Sequence, residues 1–265
     1  VAEKDDKEST MGISKITAEV AVQKPIAAGI YDMTLKVGEM AKEARPGQFV
    51  SVYSNDGSKL LPRPISICGI DAEKGELRIV YRIAGEGTKE FSGYVSGTKV
   101  EVMGPLGNGY TIKDKKAIVI GGGIGIPPML ELSKQLNCEK AMVLGYRDET
   151  FLKEEFEALG DVYVSSDLGT AGIKGTVLDA IKEYGVEGDI IYACGPMPML
   201  RAIKAYAEEK GIEAQISLEE RMACGVGACL GCVCKSKEKD EHTHVHNKRI
   251  CKDGPVFDAR EVEIE

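Results

Sequence analysis

Four of the eight cysteines fall within eleven positions: Cys224, Cys229, Cys232 and Cys234. In a reducing compartment, spaced cysteines are more often metal-binding or catalytic than disulfide-bonded. Three further runs carry chemistry: Arg63-Pro64-Ile65-Ser66, the glycine-rich stretch Gly121-Gly122-Gly123-Ile124-Gly125-Ile126-Pro127-Pro128, and Cys194-Gly195-Pro196. An arginine fork pairs with phosphate. Glycines between a strand and a helix let backbone N–H groups approach phosphate. Sulfur-held metal near one end and phosphate-bearing cofactors elsewhere are the chemistry to weigh.

The spacing Cys224-x4-Cys229-x2-Cys232 is that of plant-type [2Fe–2S] proteins, in which a fourth thiolate lies farther along. Cys251 supplies it after eighteen intervening residues. Two irons and two sulfides need four thiolates on one small volume, with a loop wrapped tightly around them. Gly225, Gly227 and Gly231 suit such a loop and bring N–H groups to the sulfurs, which tunes the potential. A structural zinc site is the alternative, but zinc usually takes two C-x2–4-C pairs and none lies near Cys251. Cys234 reads as a neighbour, and Cys68 and Cys138 as ordinary buried cysteines. His242, His244 and His246 alternate and would share one face of a strand. A solvated polar loop is favoured over a metal site there.

The elements that position these residues differ along the chain. Residues 11–112 read as β-rich, with alternating runs at 48–53, 77–83 and 99–102 between Gly, Asp and Pro turns. That suits a small antiparallel β-barrel. From Lys116 the texture changes to alternating strands (117–120, 141–146, 162–165, 189–193) and helices (127–137, 174–184, 197–210), with 214–218 as a further strand. Leu130, Leu132 and Leu136 are expected to face inward. This alternation implies a parallel sheet covered on both faces. After Glu219 cysteine and glycine dominate, then a charged stretch at 235–249. The expected organisation is a disordered leader at 1–10 with Met11 a natural start, a barrel at 11–112, an α/β domain at 113–218 and a small cluster domain at 219–265.

A second barrel segment strengthens the phosphate reading: Val80-Tyr81-Arg82 on a strand, then Gly85-Glu86-Gly87-Thr88, where Gly87 and Thr88 suit a pyrophosphate. With Arg63-Pro64-Ile65-Ser66 it resembles the FAD half of the ferredoxin–NAD(P) reductase superfamily, over Met11 to about Leu218. The resemblance implies FAD held by Arg63, Pro64, Ile65, Ser66, Val80, Tyr81, Arg82, Gly87 and Thr88. It implies a nicotinamide nucleotide held by Gly122, Gly123, Gly125, Ile126, Cys194, Gly195 and Pro196. The glycine run is similar to the superfamily's G-G-G-x-G variant rather than the G-x-G-x-x-G fingerprint. The thiol of Cys194 is the candidate catalytic group, beside the nicotinamide ring. Taken alone, each motif also fits a bland role: an edge strand, a tight turn, a buried cysteine. NAD is favoured over NADP, because Arg147 after the second strand is flanked by Asp148 and Glu149 and because Asp167 follows the third. Arg147 leaves NADP open. Some reductases of the superfamily end in an aromatic residue stacked on the flavin, which this chain lacks.

The run Ser217 to Cys229, with Cys232 and the later Ile250-Cys251-Lys252-Asp253-Gly254-Pro255-Val256-Phe257, closely resembles the family of electron-transfer subunits of class-1B dihydroorotate dehydrogenases. The resemblance implies an FMN-containing catalytic subunit as partner, in a heterotetramer of two of each, oxidising dihydroorotate to orotate in pyrimidine biosynthesis. Nicotinamide moves electron pairs and a cluster takes them singly, so FAD sits between. Two rivals remain. One is an NAD(P)H-dependent flavin and iron–sulfur reductase subunit serving ferredoxin or sulfur compounds; in one such group an Asp replaces a cluster cysteine. The other is a non-catalytic metal-binding interaction module.

Composition bounds the rest. The 265 residues suggest two or three compact units. With 34 Lys and Arg against 42 Asp and Glu, the net charge is −8, which disfavours nucleic acid as a partner. No apolar run reaches about 18 residues, the length that would suggest a membrane helix. The polar start VAEKDDKEST is no signal peptide. The expectation is a cytoplasmic protein with no membrane contact.

Overall fold

A computed structural model of the chain describes residues 13–239 and 244–264. The expected leader, Met11 and His242 lie outside the described residues. The first half comprises β1 (Ser14–Ala27), β2 (Ile30–Lys36), a turn of helix α1 (Met40–Glu43), β3 (Phe49–Val52), β4 (Arg63–Asp71), β5 (Glu76–Arg82), α2 (Glu86–Phe91) and β6 (Lys99–Leu106). The strands close in the order β1-β2-β5-β4-β3-β6, antiparallel throughout, with β6 pairing back to β1. Alternation explains the closure: Leu77, Ile79 and Tyr81 of β5 turn into the barrel with Val20, Leu35 and Val102. Arg78, Val80 and Arg82 share the opposite face.

The second half contains β7 (Ala117–Gly122), α3 (Ile126–Gln135), β8 (Lys140–Tyr146), α4 (Lys153–Glu157), β9 (Asp161–Ser166), β10 (Ile173–Lys174), α5 (Val177–Tyr184), β11 (Ile190–Cys194), α6 (Met197–Lys210) and β12 (Glu213–Ser217). All six residues of β7 are buried, as a central parallel strand requires. Its neighbours β8 and β11 run away in opposite directions through the sequence, so the strand order reverses between β7 and β11. Such a switch point leaves a crevice at the carboxyl ends of the strands. Leu130, Leu132 and Leu136 are all buried, as the spacing predicts.

Two expectations need correction. The helix expected at 174–184 begins at Val177 instead. Thr176 caps it reciprocally with Asp179, and Gly175 at φ 147 keeps Ile173–Lys174 extended as an edge strand. Cys138 is half-exposed at the turn after α3 rather than buried.

The tail adds a two-stranded ribbon, β13 (Val233–Lys235) with β14 (Asn247–Arg249), and a strand β15 (Val256–Asp258). β15 pairs antiparallel with β12, as the outer strand of the seven-stranded sheet. Ile250, Phe257 and Val262 join one core with Ile191 and Ile216 of the sheet and with Phe49 and Leu106 of the barrel. Among the described residues, no helix is long and apolar enough to cross a membrane.

Candidate cofactor sites

The barrel motif is assembled from three elements. Arg63 to Ser66 open β4, in register with Val52 to Phe49 of β3. The Arg63 guanidinium lies against Gly87 in the first turn of α2. A methyl group there would stand 2.6 Å from Arg63 Nε, so a larger residue would push the guanidinium out of this place. Arg63 also donates to the Leu61 carbonyl. The Thr88 hydroxyl accepts from the N–H of Ala84 at 2.9 Å and donates to Gly85 O at 3.0 Å. It therefore shapes the turn from within. The first-turn N–H groups of a helix have no intrahelical acceptor. With a guanidinium beside them, they make a positive cradle suited to a phosphate.

Tyr81 has its side chain in the barrel. It is buried, accepts from Gln23 Nε2 at 2.7 Å, stacks on Tyr31 and meets Phe91 edge-on. Burial pushes its phenol up to about 12. The main chain is what this residue can offer outside the barrel. Val80 packs into the core shared with the sheet. Arg82 reaches the glycine loop, where a methyl on Gly123 would lie 3.9 Å from its Nη2.

At the switch point, Gly121 to Gly125 and Cys194 to Pro196 meet. A methyl on Gly125 would stand 2.4 Å from Cys194 O, and one on Gly122 would stand 2.4 Å from Met199 Sδ. Gly123 sits at φ 53. Pro127 and Pro128 occupy the first turn of α3, where a missing N–H costs nothing. Ile126 is buried beneath the loop. Burial pushes the Cys194 thiol up to about 12, with a hydrogen bond from Ser217 opposing it. The thiol therefore keeps its proton at neutral pH.

The tail brings its four cysteines together in pairs. The amide N–H of Cys229 points at Cys224 Sγ (3.4 Å), as does that of Val226 (3.5 Å). Gly227 N–H points at Cys251 Sγ at 3.1 Å, and Cys251 N–H at Cys232 Sγ at 3.4 Å. Burial acts to raise the Cys224 thiol, but those amide donors and the Cys229 thiol outweigh it and bring the group down to about 6. Burial and the neighbouring Cys232 thiol push Cys251 up. Among the described residues, no three His, Cys, Asp or Glu side chains close on one point as a single-ion site. Two thiol pairs with N–H donors aimed at sulfur fit a two-iron centre, one pair per iron, better than one tetrahedral zinc. Cys234 lies apart on β13, its thiol raised by burial to about 11. His244 and His246 flank a turn, and His246 Nδ1 lies 3.0 Å from Lys237 O.

Several residues were not found by motif reading. Asn108 Nδ2 donates to the carbonyls of Lys252 (3.2 Å) and Asp253 (3.0 Å), gripping the tail beside Cys251. Asp253 takes a bidentate bond from Arg249, which fixes the turn that carries Cys251. A methyl on Gly225 would meet Ser51 Oγ at 3.1 Å and Leu106 Cδ1 at 3.3 Å, so the cysteine loop lies on β3 and β6. Tyr110 donates to Ala193 O at 3.0 Å and meets Tyr192 edge-on, pinning the segment between barrel and sheet. An Asn after a strand or a Tyr before one has no spacing signature that would have flagged it.

Comparison with known proteins points to one family. Residues 219–263 match the family described as iron-sulfur cluster binding domain of dihydroorotate dehydrogenase B. The chain is 46% identical to the dihydroorotate dehydrogenase B (NAD(+)) electron transfer subunit of Fusobacterium nucleatum, over 96% of this chain and all of that protein. The protein of the same name from Bacillus cereus is 45% identical over 92% of this chain and 97% of its own length. Among solved structures, the NADH-dependent reduced ferredoxin-NADP oxidoreductase described for flavin-based electron bifurcation superposes with a TM-score of 0.85 at 30% identity, covering 94% of this chain and 90% of that one. The ferredoxin reductase of carbazole 1,9a-dioxygenase shares the fold, with a TM-score of 0.64 at 20% identity over 80% of this chain and 70% of that one.

Proposed function

The chain belongs to the family of dihydroorotate dehydrogenase B electron-transfer subunits, and from that premise we propose which of its residues hold each cofactor and where its partner docks. It is an oxidoreductase subunit that uses FAD, NAD and a [2Fe–2S] cluster, and it works with a catalytic subunit that oxidises dihydroorotate to orotate. NAD carries electrons in pairs as hydride, the cluster carries them singly, and FAD exchanges both ways.

We assign the cluster to Cys224, Cys229, Cys232 and Cys251. The observation that carries this is the two thiol pairs with Gly227, Cys229 and Val226 N–H groups aimed at their sulfurs. Those donors spread the negative charge of the thiolates and favour the reduced centre. Asn108 and the Arg249–Asp253 pair keep Cys251 at its post. Arg63 and the first turn of α2 are assigned to the FAD phosphates, with Pro64, Ile65, Ser66 and the strand Val80 to Arg82 beside the ring. Gly122, Gly123, Gly125 and Ile126 are assigned to the nucleotide phosphates. Cys194, Gly195 and Pro196 close the nicotinamide end. A thiol that stays protonated there lines the pocket and excludes water without acting as a base.

The partner is assigned the rim of the cysteine loop. Val226, Leu230 and Val233 are 37%, 51% and 38% exposed around the exposed Cys229. An apolar rim at a sulfur-held centre suits a docking face through which electrons pass singly. The partner is assigned FMN, in a complex of two subunits of each kind, in the cytoplasm, where the cluster thiols stay reduced. Co-expression with the catalytic subunit and assay of dihydroorotate:NAD+ activity tests the reading. Leu230→Asp should weaken assembly by about 30-fold, the loss of one interface hot spot. Assembly and activity unchanged by that substitution would remove the docking assignment.

A further inference from the structure

The barrel and the nucleotide half are joined by a polar seam in which the second half supplies carboxylates and the barrel supplies donors. Ile70 N–H donates to Glu131 Oε2 at 3.0 Å, and Ala28 N–H to Glu149 Oε2 at 3.0 Å. The charged member is Arg78 of β5. Its guanidinium grips Asp32 of β2 with two bonds of 2.9 Å and Glu155 of α4 with bonds of 2.6 and 2.8 Å. Asp32 is almost wholly buried and Glu155 is half-exposed. A planar fork satisfied on two sides has one geometry, which makes it a locating contact as well as an attractive one.

The position of Arg78 gives this contact a consequence. Arg78, Val80 and Arg82 share one face of β5, at about 3.3 Å of rise per residue. One end of that face is clamped to α4. The other end, about 13 Å along by the same rise, carries Val80 into the shared core and Arg82 to the glycine loop at Gly123. Any rotation at the clamp displaces the end of the strand assigned to the flavin relative to the loop assigned to the nucleotide. The tail rests on β3 and β6, which β4 separates from β5 in the barrel order. The clamp therefore acts on one cofactor junction and leaves the other alone.

We propose that Arg78 is a positioning residue for electron exchange between nicotinamide and flavin, holding β5 in register with the glycine loop through Asp32 on one side and Glu155 on the other. The inference rests on the functional reading above. In the step it governs, NADH gives a hydride, two electrons with one proton, to FAD, and a second proton comes from solvent, leaving NAD+ and reduced flavin. Hydride transfer demands close approach, and a misplacement of about 1 Å costs about 100-fold in rate. Removing Glu155 is the clean perturbation, since the Arg78–Asp32 pair inside the barrel stays whole.

The test uses the complex with its catalytic subunit. Flavin reduction is followed by rapid mixing, once with NADH and once with dihydroorotate, for the wild type, Glu155→Ala and Arg78→Lys. Glu155→Ala should slow the NADH route by about 10-fold or more, with the dihydroorotate route within about twofold and flavin and iron content unchanged. Arg78→Lys, which keeps the charge but loses the fork, should fall between. A readout independent of turnover is amide exchange in the purified chain: the Ala28 and Ile70 N–H groups, which bond across the same seam, should exchange faster in Glu155→Ala. Equal slowing of both routes, or neither route slowed with unchanged exchange at Ala28 and Ile70, would overturn the positioning role. A wild-type complex without FAD would overturn the functional reading itself, and FAD, as distinct from the partner's FMN, is measured before the variants are compared.

Discussion

The glycines of the nucleotide loop and those of the cysteine loop answer to different constraints. Gly125 is small because another backbone is already there: the carbonyl of Cys194 would lie 2.4 Å from an added methyl. Gly225 and Gly227 are at φ 71 and 82, where side chains are strained. The nearest atom to a methyl on Gly225 is the movable Ser51 hydroxyl at 3.1 Å. Gly121, Gly122 and Gly125 make the first loop a piece of packed core, shaped by its neighbours, and Gly123 at φ 53 is set by its dihedral. The second is shaped by its own dihedrals, by Lys252, whose Cδ would lie 2.7 Å from a methyl on Gly227, and by what four sulfurs hold. It follows that the cysteine loop leans on its metal centre for order more than the glycine loop leans on its nucleotide.

The sharpest way to break that contrast is to remove a sulfur. Cys232→Ser should lower iron and sulfide to near zero and raise amide exchange through β13 and β14, because metal binding and local folding are coupled. The barrel and sheet should keep their exchange protection, and NADH should still bleach the flavin. Iron analysis and exchange mapping check this together. A smaller loss is expected from Gly125→Ala. Overpacking against backbone should cost about 3 kcal/mol, at the upper end for a core insertion, and weaken NAD binding; chemical denaturation and NADH titration measure both. Gly225→Ala should cost only about 1–2 kcal/mol of left-handed strain, read as a lower iron-release midpoint with the global unfolding midpoint unmoved.

The smallest effect concerns a loop held by neither device. Glu90 on α2 accepts from Asn55 N–H at 2.8 Å, the Tyr94 hydroxyl at 2.6 Å and Lys59 Nζ at 3.0 Å, and from Ser54, fixing the loop between β3 and β4. Burial opposes these bonds, but they win and hold the carboxyl down at about 2. A depressed carboxyl contributes stability that is complete above its ordinary value of 4.5 and is lost as pH falls toward 2. Glu90→Gln should flatten the acid limb of the stability curve in that window, with a lower midpoint than the wild type at neutral pH and the two converging near pH 2. Thermal midpoints between pH 2 and 6 provide the check.

The motifs were legible because each is local. Arg63 to Ser66, Gly121 to Gly125, and Cys224 to Cys232 carry their chemistry in residue type and short spacing. The alternation of strand and helix gave the parallel sheet for the same reason. What escaped depends on distant chain. Arg78 finds Asp32 across 46 residues and Glu155 across 77, and nothing near any of the three marks it. β15 lies in the tail, where neither the β-rich nor the strand–helix pattern persists, and the open edge of β12 makes it a strand. The start of α5 was misplaced because Lys174 continues an apolar-periodic pattern that the Thr176–Asp179 cap interrupts. Tyr81 belongs to a motif by position, yet its ring belongs to the barrel.

The central claim, that this chain exchanges electrons between nicotinamide, which carries them in pairs, and a two-iron centre in its tail, which carries them singly, is tested most directly in the reverse direction, by anaerobic titration with NADH under electron paramagnetic resonance. The wild-type chain, replete in flavin and iron, should develop the signal of a reduced [2Fe–2S] centre on NADH alone. Cys232→Ser should bleach its flavin without that signal. A wild-type sample whose flavin bleaches while its iron stays silent would contradict the claim.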